Sequence, residues 1–347
     1  MPQMMAMMLK GTHDLKRTHT PLVPETVPVP VPAAHEILIR VAACGVCHTE
    51  LDEIEGRTPP PRFPIIPGHQ VVGRVAARAV DATRFSIGQR VGVAWIYRAC
   101  GRCDRCRTGH ENLCDQFAAT GRDAHGGYAE VMTVDEAFAY PIPERFSDAQ
   151  AAPLLCAGAI GYRSLALCDL HDGQRLGLTG FGASAHLVLK MVRHRFPGTS
   201  VYVFARSPAE REFARSLGAV WAGDATATAP VALDCIIDTT PAWTPVLAAL
   251  GNLGPAGRLV INAIRKERAD QKVLLQLNYA DHLWHEKEIK SVANVTREDV
   301  TRFLELADQI PIVPHVQTFA LASANQALME LKHKKIRGAK VLQIGNL

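Results

Sequence analysis

The chain predicts an α/β protein, a doubly wound parallel sheet joined to a β-rich part that carries a metal-binding lobe. Three observations lead there. Between Leu176 and Ile264 apolar strands alternate with amphipathic helices, and a glycine-rich turn opens the first repeat. From Glu36 to Ala94 short apolar strands are instead separated by Gly and Pro. Four cysteines then crowd into residues 100–114. At 347 residues the chain is too long for one ordinary core and fits two domains.

In chain order, Val27–Pro32 alternates Val and Pro, which suits an extended edge and excludes a helix. Glu36–Ala43, Val71–Ala77 and Gln89–Ala94 read as strands. Leu176–Thr179 is the strand that leads into Gly180-Phe181-Gly182-Ala183-Ser184-Ala185, a G-x-G-x-x-A turn. The helix after it places Leu187, Val188, Met191 and Val192 on one face. Strand Val201–Ala205 follows. Ser207 and Glu210 then offer a capping box around Pro208, and Gly218 closes that helix. Cys235–Asp238 and Arg258–Ala263 complete the strands, with a helix over Trp243–Leu250. A glycine-rich turn between strand and helix, inside such a repeat, marks a dinucleotide site of the Rossmann kind. Gly180 and Gly182 admit the pyrophosphate to the helix N-terminus, and Ala185 stands where the helix packs on the sheet.

Cys100, Cys103, Cys106 and Cys114 read C-x2-C-x2-C-x7-C, four thiolates able to close around one tetrahedral zinc. Bacterial ferredoxins also space three cysteines by two residues, but their fourth follows after three and precedes proline. Here it follows after seven, and Asp115 comes next. Disulfides fit poorly, because nothing in the chain marks a secreted protein. A filled four-sulfur set holds a lobe together and performs no chemistry.

Three further segments, Cys44-Gly45-Val46-Cys47-His48-Thr49-Glu50, Pro67-Gly68-His69-Gln70 and Leu154-Leu155-Cys156-Ala157-Gly158, are individually weak. In this order, with the four-cysteine lobe in its expected place, they resemble the zinc-dependent alcohol dehydrogenases of the medium-chain dehydrogenase/reductase superfamily. The likeness runs from about Val41 to the C-terminus. It implies a GroES-like catalytic domain over residues 1–157 and 296–347 and a coenzyme domain over 158–295. It implies that Cys47, His69 and Cys156 hold a second, catalytic zinc with one open position. There the metal acts as a Lewis acid toward an alcohol or its carbonyl product. By the same resemblance Thr49 bonds the alcohol and relays its proton, and His48 lies near the cofactor pyrophosphate. Glu50 orients the liganding histidine, as second-sphere carboxylates do. Cys44 is implied to be a buried neighbour, and Gly126–Glu130 a β-region segment. Two departures stand out. Gln70 replaces a glutamate common beside the liganding histidine, and Asp52 replaces a histidine that ends the relay in some relatives. Either Asp52 accepts the proton or it passes straight to water.

Cofactor choice is read at the end of the second strand, where NAD-specific relatives carry an acid. Counting back from Leu217-Gly218-Ala219 puts Ala205 there, followed by Arg206 and Ser207. A cation and a hydroxyl suit a 2′-phosphate, so NADP is expected to be preferred and NAD possible.

The remaining features bound the function. The net charge of +4 is mild, and Lys332-His333-Lys334-Lys335 reads as a solvated helix end, so no nucleic-acid partner is expected. The Met-rich start has no signal-peptide pattern, and no run approaches eighteen uninterrupted apolar residues, so no membrane span is expected. Nine thiols without secretion signals fit the cytoplasm. Lys266–Asn294 is expected at a subunit interface or pocket rim, in a homodimer or homotetramer, and Trp95 near the substrate. A zinc-ribbon nucleic-acid binder would explain the cysteine lobe but not the dinucleotide repeat. A zinc-free quinone reductase of the same superfamily would lack both cysteine sets.

Overall fold

The computed structural model describes residues 2–333 and 338–345. It comprises two compact units, Met1–Cys156 with Thr296–Leu347, and Ala157–Val295.

The second unit is built on six parallel strands. Across the sheet they run Trp221–Gly223, Ser200–Phe204, Arg175–Thr179, Leu233–Asp238, Leu253–Ile261 and Glu288–Ser291. The first strand in sequence is thus central and the order reverses beside it, which is the switch-point arrangement that opens a crevice at the strands' carboxyl ends. Helices Ala183–Arg195, Pro208–Ser216 and Thr244–Asn252 occur where periodicity places them. The two outermost strands, Trp221–Gly223 and Glu288–Ser291, have no signature in the sequence. Both are short, and the second is exposed along its whole length, so no burial imposes an alternating pattern on it. The capping box expected at Ser207 does not form. Ser207 occupies the N-cap position in extended backbone, but its hydroxyl makes no capping hydrogen bond.

The first unit carries a seven-stranded sheet in which Glu36–Val46 is central. It pairs antiparallel with Val71–Arg78 on one side and Ala339–Gln343 on the other, while Val131–Asp135 adds to its far end. The Met-rich start is the strand Gln3–Leu9, antiparallel to Leu22–Pro28, with Met4, Met7 and Met8 buried. Gly126–Glu130 is not a strand. Ala129 bridges to Ala6, where Met7 N bonds Tyr128 O (2.9 Å) and Glu130 N bonds Met5 O (3.1 Å), while Gly126 N and Gly127 N turn to Ile66 O (2.7 Å) and Gly68 O (2.9 Å) in the loop before His69.

The stretch Asp148–Cys168, 21 residues, has the length and apolar content of a membrane span, which the sequence reading did not anticipate. It is divided into the turns Asp148–Ala151 and Ala152–Leu155 and the helix Ala157–Cys168, and 61% of its most apolar window is buried inside the protein. Of the basic run, Lys332 pairs with Glu55, while Lys334 and Lys335 lie outside the described residues.

Candidate active site and metal centres

Three separate segments of the first unit deliver one sulfur, one nitrogen and one sulfur to a common point. Cys47 ends the central strand and serves as N-cap of helix His48–Ile54, its sulfur accepting the backbone N–H of Thr49 at 3.3 Å. His69 follows Gly68, whose backbone is left-handed at φ 96°. A side chain on Gly68 would meet the Tyr128 ring at 2.3 Å and the Cys44 sulfur at 2.9 Å, so only glycine lets this loop pass so close. Cys156 follows the turn Ala152–Leu155. The ligand atoms of Cys47, His69 and Cys156 all lie within 4.8 Å of one another. Zinc–sulfur and zinc–nitrogen bonds of about 2.3 and 2.05 Å at a tetrahedral angle separate S from N by about 3.6 Å. The Cys47 Sγ to His69 Nε2 distance is 3.7 Å, so the donors fit such an ion.

Behind this set sits a fully buried carboxylate. Glu50 Oε2 accepts the Cys47 N–H at 2.8 Å, and Oε1 lies 2.6 Å from His69 Nδ1. One residue therefore caps the helix that presents Cys47 and sets the ring of His69. Burial opposes charge on His69, but the facing Glu50 and Cys47 outweigh it and hold the imidazole protonated well above its usual range. The Cys156 thiol and burial push Cys47 well up, and Glu50 adds to this. Gln70 is buried at the edge of the ligand set, and its Nε2 has no hydrogen-bond partner among the described residues. Thr49 is half-buried one residue into the helix and His48 is exposed.

The second set is the lobe. The sulfurs of Cys100, Cys103, Cys106 and Cys114 lie within 4.8 Å of one another, with Cys100 and Cys106 3.8 Å apart, the edge of a tetrahedron with bonds of about 2.3 Å. Backbone N–H groups point at three of them: Cys103 N at Cys100 (3.4 Å), Cys106 N at Cys103 (3.5 Å) and Gln116 N at Cys114 (3.4 Å). Donors from Arg102 and Cys103 draw the Cys100 thiol down to about 6, while burial raises Cys106 to about 12. The backbone donors thus favour the thiolate at Cys100, whereas burial favours the thiol at Cys106. Glu111, buried between the third and fourth cysteines, accepts from Arg297 N (2.6 Å) and Nε (3.1 Å). That pair ties the lobe to helix Arg297–Gln309.

In the second unit, Gly180 turns the chain at φ 78°, and its N–H bonds to Phe204 O at 2.8 Å. Nothing lies within 4 Å of where a side chain on Gly182 would begin, at the N-terminus of helix Ala183–Arg195. An anionic group has open backbone to approach there. Ala185 is buried under the helix. Ala205 directly follows the second strand and is buried, Arg206 is exposed, and Ser207 is half-buried.

The family model for the alcohol dehydrogenase GroES-like domain matches residues 33–144. A probable alcohol dehydrogenase of Mycobacterium tuberculosis is 44% identical over 329 residues, 93% of each chain. The chain belongs to the zinc-type medium-chain alcohol dehydrogenase family. An alcohol dehydrogenase of Geobacillus stearothermophilus is 29% identical over 89% of this chain and 91% of its own. Among solved structures, a cinnamyl alcohol dehydrogenase of Sorghum bicolor superposes with a TM-score of 0.83 at 27% identity, covering 99% of this chain and 98% of its own.

Several side chains around this dehydrogenase's sites have partners, or lack them, in ways the sequence did not show. Asp52 is buried and ion-paired to Arg57 at 2.5 Å, and Arg57 also reaches Glu55 at 2.5 Å. Glu53 is buried with one oxygen unpartnered, and burial together with the Glu50 charge pushes its carboxyl well up. The Tyr128 hydroxyl and the Trp95 indole nitrogen are likewise buried without a partner among the described residues. The Asp52–Arg57–Glu55 contacts are local in sequence, yet no residue pattern marks them, and only the folded backbone orients these side chains.

Proposed function

We propose that this alcohol dehydrogenase oxidises an alcohol, or reduces its aldehyde or ketone, with two zinc ions per chain and NADP preferred over NAD. The observation that carries the reading is the convergence of Cys47, His69 and Cys156, with Glu50 behind the histidine. The metal supplies Lewis acidity toward the substrate oxygen when bound. The nicotinamide supplies or accepts the hydride. The rest falls to the chain. Glu50 keeps the proton of His69 on Nδ1, so that Nε2 is free to bind. Thr49 Oγ1 accepts the alcohol proton and passes it on. Asp52 is engaged in its ion pair with Arg57, so the last transfer goes to water. The four lobe cysteines hold the second zinc and stay out of the chemistry.

For the cofactor, the absence of an acid at Ala205 leaves the 2′-phosphate unopposed, and the exposed Arg206 can pair with it. The chain assembles with copies of itself through the 266–294 stretch, where strand Glu288–Ser291 lies bare and Tyr279, Trp284 and Ile289 are exposed.

Elemental analysis and a substrate panel test the whole. The expected result is two zinc ions per chain and turnover of primary or secondary alcohols, with kcat/KM higher for NADP. One zinc, iron in the lobe, or no turnover with any alcohol or carbonyl compound would overturn it.

A further inference from the structure

Helix Pro208–Ser216 follows the turn that closes the second strand, and one of its arginines folds back onto that turn. Arg211 Nη1 donates to Ala205 O at 2.8 Å and to Arg206 O at 3.1 Å. The same nitrogen lies 3.5 Å from Asp224 Oδ2, just past the neighbouring strand. Its side chain is 22% exposed and that of Asp224 61%, so the arginine is the anchored member of the pair. The Ala205 N–H is meanwhile held by Gly223 O at 3.0 Å. Both polar groups of the Ala205 backbone are thus tied, one to the sheet and one to Arg211. The Arg206 side chain, by contrast, is exposed and makes no hydrogen bond or ion pair among the described residues.

These contacts have an electrostatic consequence. Without the guanidinium, two carbonyl oxygens and the Asp224 carboxylate would leave the turn negative, which disfavours a dianionic phosphate. With it, the turn is neutralised and the direction in which Arg206 leaves the backbone is set. We propose that Arg211 is a positioning residue for NADP selection, holding the Ala205–Arg206 turn so that Arg206 meets the 2′-phosphate. The inference rests on the reading that this turn discriminates between the cofactors. Arg211 acts through Arg206 and the field of the turn, without touching the phosphate.

The experiment measures Kd for NADP and for NAD by quenching of intrinsic fluorescence, on the zinc-loaded full chain. The parent, Arg206→Ala, Arg211→Ala, Arg211→Lys and the double alanine variant are compared. Arg211→Ala is expected to weaken NADP about ten-fold, a fraction of a charge-assisted hydrogen bond, and to change NAD less than about two-fold. Arg211→Lys should recover part of the loss by restoring the charge. The double variant should lose less NADP affinity than the two single losses combined, because part of the Arg211 effect passes through Arg206 and only the field of the turn remains without it. NAD binding is the internal control for folding, and if Arg211→Ala loses it, Arg211→Lys carries the test with a smaller selective loss of NADP. Equal weakening of both cofactors, or additive losses in the double variant, would overturn the proposal while leaving the NADP reading intact. A parent that prefers NAD, with a ratio indifferent to Arg206→Ala, would defeat the NADP reading and this inference with it.

Discussion

Replacing Glu50 with glutamine isolates one hydrogen bond in a buried site. The amide oxygen can still accept the Cys47 N–H that Glu50 Oε2 accepts at 2.8 Å, so the helix cap survives. The amide nitrogen then faces His69 Nδ1, 2.6 Å from the atom it replaces, and it is a donor. Two donors cannot share that gap. The histidine must place its proton on Nε2, which lies 3.7 Å from Cys47 Sγ and is the nitrogen that points at the metal position. Zinc must displace that proton and turn the ring back into an unfavourable contact. Loss of a second-sphere carboxylate typically costs about 10–100-fold in metal affinity, or about 1.4–2.7 kcal/mol. The metal-free fold should lose stability too, because the charge facing protonated His69 is removed while the histidine stays buried, although the cap is kept. Chelator competition should therefore show weaker zinc at the three-ligand site, and Tm should fall in both the metal-free and the loaded protein. Glu50→Ala should add about 0.5–2 kcal/mol of lost stability from the missing cap. Parent-like zinc affinity in Glu50→Gln would refute the claim that Glu50 sets the tautomer of His69.

Thr49→Ala should lower kcat by about 10²–10⁴-fold and Thr49→Ser by far less, in single-turnover kinetics. Asp52→Asn should change kcat little but lower Tm, because Arg57 loses the more buried of its two carboxylate partners. Cys103→Ala removes both a sulfur of the lobe and the N-cap of its turn Asp104–Arg107. It should destabilise the fold by on the order of 3–5 kcal/mol and open residues 100–114 to proteases, with Glu111 and Arg297 released in hydrogen exchange. Since His69 and Cys47 are both raised when metal-free, zinc uptake should release protons into a weakly buffered solution near neutral pH. The raised His69 stabilises the metal-free fold fully below its unfolded-state value, and that contribution is lost as pH climbs through the raised one. Zinc affinity should run the other way and fall on acidification.

The sequence by itself determined the local features of this protein. The alternation from Leu176 to Ile264 made a parallel sheet, because buried strands and amphipathic helices each impose a period on their residues. The four lobe cysteines span fifteen residues, so a short loop suffices to bring their sulfurs together. Cys47, Thr49 and Glu50 share one helix start, where the chemistry of a cap and of a histidine partner coincide on one side chain. Tertiary structure decided how side chains turn and which remote groups they meet. Arg57 turned Asp52 from a relay candidate into half of an ion pair, and Arg211 tied down a turn whose specificity had been read from its own three residues alone. Glu111 met Arg297 across 186 positions. The edge strand Glu288–Ser291 has no pattern because it is exposed along its whole length, and Trp221–Gly223 is too short to show one. A residue's period and spacing record only forces acting along its own segment, whereas a hydrogen bond to a remote backbone or guanidinium leaves no periodic trace.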